Sequence, residues 1–329
     1  MNGTSNRIAV TLNGQALSVK REMSILKVIE QSGQTFKSQP LGAVVNNRLM
    51  GLYQVLRGDC IVNTIDYSSK EGANIYRRSA SLILLAAISE LFPTVRLEIG
   101  QSLGDGYYYR VSGKELNEEA IEHIETRMRQ IVKEGYPLQP RPAAIEEAID
   151  YFAEAGYPDK ILLLKQRPVA EVPMVMCGKS RDIAYGPFLH STALCPEFAL
   201  VPRLPGFVLN FPDPKGHVAR VLPPQPKLFG AYREPRAWNE RLGVWHLGQL
   251  NEACIDGSIS EIIRVSEGLQ EKKIAHLADE ISQRAGQVRL VLIAGPSSSG
   301  KTTFTKRLAV QLRVNGIRPL TLSLDNYYI

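Results

Sequence analysis

Cysteine and histidine are scarce in this sequence, and neither is clustered. Cys60, Cys177, Cys195 and Cys254 form no C-x-x-C pair, which argues against a disulfide framework and against a thiolate zinc site. They read as reduced structural thiols. The five histidines, at 123, 190, 217, 246 and 276, fall in five separate segments, so no metal-ligand spacing emerges and no metal site is expected from them. Long apolar runs are missing too. "LILLAAI" at 82 to 88 is too short to span a bilayer, and the opening "MNGTSNRIAV" lacks the charged region, apolar core and cleavage site of a leader. The expected location is the cytoplasm, with no membrane partner.

What is present is ample material for several domains: 329 residues, 44% hydrophobic and 22% charged. A net charge of +6 suits an anionic partner such as nucleotide or RNA, and is equally what a solvated surface of this size carries.

The first sixty residues alternate in character. "RIAVTLNGQALSV" places an Asn13-Gly14 pair between two alternating runs, a hairpin signal. "SILKVIEQSG" has Ser24 at the cap of a short helix and Gly33 beyond its end. "LGAVVNNRLMG" and "DCIVNTIDY" read as further strands. This order resembles the TGS domain, a ubiquitin-like β-grasp module found in threonyl-tRNA synthetases and some GTPases. The resemblance covers residues 7 to 66 and gives a first domain at 1–67.

Residues 72 to 92 are helical by period and stop at Pro93, with the arginines expected on the polar face. Two strand segments around Gly-Asp-Gly follow. Next comes a helix with one apolar stripe at 121, 124, 128, 131 and 132. "RRSASLILLAAISELFP", "IGQSLGDGYYY", "IETRMRQIV" and "DIAYGP" resemble the second, α+β domain of threonyl-tRNA synthetase, which removes wrongly attached serine. That family's histidine pair falls on Arg78 and Leu82, its cysteine on Ala184 and its third histidine on Phe188. None of these four side chains can take up a proton or hold zinc at neutral pH. The resemblance therefore implies the fold without the hydrolysis. The second domain is placed at 68–225, ending in a connector with eight prolines between 202 and 235, a stretch expected to form neither a long helix nor a central strand, although Phe207, Val208, Leu209, Phe211, Leu228 and Phe229 are too apolar for a free linker and point to packing. Beyond it the chain reads as helical, with breaks at Gly257 and Gly268.

The last domain, 226–329, carries the sharpest motif. "VRLVLIAG" reads as a buried parallel strand, and the next residues satisfy G-x-x-x-x-G-K-[ST] as Gly295, Gly300, Lys301 and Thr302. Gly295, Pro296, Ser297, Ser298, Ser299, Gly300 and Thr303 would wrap the phosphates of ATP, with the N–H groups of all but Pro296 able to turn inward. Lys301 would reach the β- and γ-phosphates and Thr302 would ligate magnesium. "LTLSLD" reads as a second parallel strand that delivers Asp325 beside the loop. "IAGPSSSGKTTFTKRL" with "LSLDNYY" resembles the uridine kinase and phosphoribulokinase family. By that resemblance Asp325 is the catalytic carboxylate beside Lys301, Tyr327 and Tyr328 lie near the substrate, and a small-molecule hydroxyl, a nucleoside's, is the phosphoryl acceptor. The three-module order is similar to bacterial uridine kinase-like proteins.

The expected fold class is thus multidomain α+β and α/β: a β-grasp module, an editing-like domain and the start of a P-loop kinase sheet, read as cut inside the kinase domain and inactive by itself. The alternative is a protein that binds RNA or an alarmone through its N-terminal modules, with the P-loop only gating.

Overall fold

The computed structural model describes residues 6–213, 215–224 and 226–324. They form a mixed α+β protein of two compact units, Met1–Ala237 and Trp238–Ile329.

The first unit opens with the hairpin β1 (Arg7–Leu12) and β2 (Gln15–Lys20), turned by Asn13 and Gly14 at φ 46° and 88°. Positive φ at both turn residues is what a two-residue hairpin needs, and Asn and Gly supply it. Helix α1 (Ile25–Ser32) is capped by Ser24 and ended by left-handed Gly33. Strands β3 (Gly42–Val45), β4 (Arg48–Met50) and β5 (Cys60–Ile65) complete a sheet in the order β2-β1-β5-β3-β4. Only β1 and β5 pair in parallel. The α1 residues Ile25 and Val28 close the core of this sheet with Val10, Leu12 and Val62.

Helix α2 (Lys70–Leu91) is buried along most of its length because its apolar residues run all round it. It packs with α3 (Glu118–Glu134), whose Ile121, Ile124, Met128 and Ile131 are buried. Between the two lies the hairpin β6 (Arg96–Leu103) and β7 (Gly106–Ser112). A satellite follows: β8 (Arg141–Ala144), α4 (Ile145–Glu154), α5 (Pro158–Lys165), β9 (Glu171–Cys177) and β10 (Ser180–Ile183). Its antiparallel sheet runs β10-β9-β8, over a small core centred on Phe152 and Val172.

The proline-rich connector packs, as its apolar residues suggest, but contrary to expectation it also supplies an inner strand. Strands β11 (Ala199–Arg203) and β12 (Gly206–Asn210) join the earlier hairpin in a sheet ordered β11-β12-β7-β6. The prolines do not obstruct this. β12, the inner strand, contains none, and Pro202 lies in the outermost strand β11, where a missing N–H costs no ladder bond. Phe207 stacks on Tyr109 with ring centroids 6.0 Å apart. Helix α6 (Pro226–Arg241) begins on a proline, which needs no amide there, and continues through Pro235.

In the second unit, α7 (Leu247–Asp256) ends at left-handed Gly257. Helix α8 (Ile259–Gln283) passes straight through Gly268, contrary to the expected break, since one glycine costs a long helix only about 1 kcal/mol. Helix α9 (Lys301–Val314) packs on α8 through Ile274, Ala278, Leu308 and Leu312. Glu271 of α8 accepts from Arg307 at 2.8 Å and from Gln311 at 3.0 Å.

Candidate functional site

Helix α2 fixes the segment that follows β10. The Leu189 amide donates to Ser79 Oγ at 2.9 Å, and the Tyr76 hydroxyl exchanges hydrogen bonds with the carbonyl and amide of Glu197 at 2.9 and 2.8 Å. Arg78 donates to the Pro187 carbonyl at 2.5 Å, and its guanidinium carbon lies 5.8 Å from the centroid of the Phe188 ring. The arginines of α2 are therefore not on a polar face. Arg77 and Arg78 are half-buried, and Arg77 covers Phe211 as Arg78 covers Phe188. The long stems bury while the planar heads lie on rings, a geometry that hydropathy alone does not reveal.

The structure thus brings the four singled-out positions together. Leu82, Ala184 and Phe188 are 4%, 8% and 3% exposed and belong to one core. Burial lowers the pKa of Arg78, against which the Tyr107 and Tyr53 hydroxyls act. Three apolar side chains and a guanidinium offer no lone pair to a proton or a metal ion. Among the described residues, no group of three or more His, Cys, Asp or Glu is arranged to hold a metal. Burial also pushes the thiols of Cys177 and Cys195 up to about 12, which keeps them protonated and unreactive.

Outside this closed spot lies a cleft of about 900 Å³ lined by Arg48, Tyr53, Arg57, Arg141, Glu171 and Gly186 among others. The Tyr53 phenol is raised by burial, while the Phe188 backbone and the Arg78 charge pull it down. Sequence reasoning missed Tyr53 and the cleft arginines. The available signal was an aromatic flanked by two arginines within ten residues, Arg48 to Arg57.

In the second unit, the loop residues 294–300 are exposed and lead into α9. Ser298 and Gly300 take φ 58° and 82°, and the Lys301 ammonium donates to the Pro296 carbonyl at 2.7 Å. No side chain caps the start of α9. A Cβ at Gly295 would fall 2.7 Å from Ser299 Oγ, the movable end of a side chain. The expected parallel strands are absent: among the described residues from 238 onward there is no strand, and Leu290, Leu292 and Leu322 are 72%, 82% and 68% exposed. A parallel sheet is covered on both faces, and these runs are not. Asp325, Tyr327 and Tyr328 lie outside the described residues.

No protein-family model matches the chain. Similarity to curated proteins is extensive, however. A protein of Clostridium kluyveri is 31% identical over 182 residues, which is 55% of this chain and 29% of that protein. One of Symbiobacterium thermophilum is 31% identical over 200 residues, 60% of this chain and 31% of its own. Another, of Acetivibrio thermocellus, is 30% identical over 197 residues. All three are named threonine–tRNA ligase. This chain spans less than a third of the length of those relatives.

These matches correct the expectation of a uridine kinase-like protein. The similar proteins are ligases acting on tRNA, and the parallel sheet that the kinase reading required is not formed among the described residues. The nucleoside acceptor falls with it. No helix among the described residues is long and apolar enough to cross a membrane.

Proposed function

We propose that this chain is a tRNA-engaging part of a threonyl-tRNA-ligase-like protein, one that holds RNA without hydrolysing an attached amino acid. The observation that carries the reading is the 31% identity to threonine–tRNA ligases over 182 to 200 residues. The packing of Arg78, Leu82, Ala184 and Phe188 supports the second half of it, because nothing there can activate water. The sheet order with β1 and β5 parallel under α1 supports a β-grasp, TGS-like reading of residues 1–67. Residues 68–225 form the editing-like part, and the setting is the cytoplasm.

In residues 226–329, the loop from Gly295 through Thr303 is assigned to the phosphates of ATP. Its uncapped helix start leaves amides free to point at an anion, and Lys301 stands at its mouth. Thr302 would hold Mg, which supplies charge neutralisation when bound.

The test is binding of threonine-specific tRNA to the full chain over a salt series, alongside a seryl-tRNA hydrolysis assay. Binding that weakens with salt, without deacylation, is expected. No binding at low salt, or measurable deacylation, would sink this reading.

A further inference from the structure

The cleft beside Arg78 holds more positive charge than its neighbours neutralise. Arg48 begins β4, Arg57 lies in the loop after it, and Arg141 begins β8. Strands β4 and β8 are each outermost in their sheets, so Arg48 and Arg141 reach one opening from two sheet edges and Arg57 joins them from a loop. All three are exposed, and none has a carboxylate partner among the described residues. Glu171 is the single acidic residue among those lining the cleft. Beneath it, Arg78 adds a fourth guanidinium whose hydrogen bond goes to a carbonyl, which leaves its charge uncompensated.

Arginine forks match phosphate oxygens, and an aromatic ring among them suits a base. Tyr53, Gln54 and Gln139 line the same opening, whose volume of about 900 Å³ is of the size that encloses a small organic ligand. We propose that this cleft binds nucleotide phosphates, with Arg48, Arg57 and Arg141 pairing with them and Tyr53 stacking on a base. The proposal rests on the tRNA reading for its source, the unpaired end of an RNA. A free nucleotide presents the same chemistry. Arginine on an edge strand also discourages strand pairing, a role that would leave ligand binding untouched by substitution.

The experiment uses the full chain and three probes: a tRNA transcript, a single-stranded RNA tetranucleotide, and adenosine monophosphate measured in a Lys301→Ala background to silence the loop. In the triple variant Arg48→Ala, Arg57→Ala, Arg141→Ala, the salt slope for RNA should fall by about 2, since each single-strand phosphate contact contributes about 0.7. Glu171→Gln should tighten binding by roughly two- to fivefold, a gain that misfolding cannot produce. Loss in the adenosine monophosphate arm alone would keep the cleft and name a free nucleotide as its ligand. Unchanged affinity and slope for every probe that the wild type binds would overturn the proposal. Absence of wild-type tRNA binding would instead strike the tRNA reading, leaving the nucleotide arm to decide the cleft.

Discussion

The guanidinium of Arg78 both covers the Phe188 ring and donates to the carbonyl of Pro187, the residue just before it. One side chain from α2 therefore holds two consecutive residues of a segment more than a hundred positions away. Arg78→Ala should cost about 1–3 kcal/mol in urea unfolding, because a half-buried carbonyl loses its donor. It should not create any hydrolytic activity. A loss below about 0.5 kcal/mol would show that the contact is incidental.

Gly186 sits against the same guanidinium, and a Cβ there would fall 3.0 Å from the Arg78 Cζ. Gly186→Ala should destabilise the wild type modestly and the Arg78→Ala variant less. A double-mutant cycle should give a coupling of about 0.5 kcal/mol or more. Strict additivity would mean that the two residues do not meet.

A far larger effect is expected at Gly206, where an added Cβ would lie 2.1 Å from the Tyr109 carbonyl oxygen in the neighbouring strand. Backbone cannot swing aside as a side chain can. Gly206→Ala should cost about 3 kcal/mol or more, or leave no folded protein to purify.

Glu125 provides a pH readout. Burial raises its pKa, but the Leu200 amide, Arg129 and Arg220 outweigh this and hold it below its ordinary 4.5. A depressed carboxylate stabilises the fold above its unfolded pKa, and that contribution is lost as pH falls through the folded value. Comparing wild type with Glu125→Gln by thermal melting, the gap should be full near pH 7 and shrink below about pH 4. A gap independent of pH would assign the effect to packing alone.

Lys301→Ala should leave the melting temperature unchanged, since its ammonium bonds only to an exposed loop carbonyl. ATP binding, read by a fluorescent analogue, should fall by about tenfold or more, as expected for a lost charge-assisted contact. Thr302→Ala should weaken binding only when Mg is present. Equal binding by wild type and Lys301→Ala would remove the loop from the site.

Local signals were legible in the sequence. Asn13-Gly14 specified a hairpin, Ser24 and Gly33 bracketed α1, and the stripe on α3 named its buried face. The loss of proton-accepting groups at Arg78, Leu82, Ala184 and Phe188 could also be read directly. What proline content concealed was β12, because five proline-free residues in a proline-rich stretch suffice for an inner strand. The cleft was hidden for another reason. Arg48 and Arg141 come from edges of two sheets and Arg57 from a loop, and such proximity is a property of topology that no single stretch records. Conversely, the apolar runs around Leu290 and Leu322 looked like strands because a hydrophobic period cannot report whether a partner exists.

The late arrival of β12 bears on how the protein is made. Tyr109 leaves the ribosome about a hundred residues before Phe207, the ring that covers it. At ordinary rates of synthesis, that interval lasts roughly 5 to 20 seconds. Throughout it, the nascent chain presents an open edge of β7 and an uncovered aromatic ring, so the hairpin must wait, bare, for a strand not yet translated.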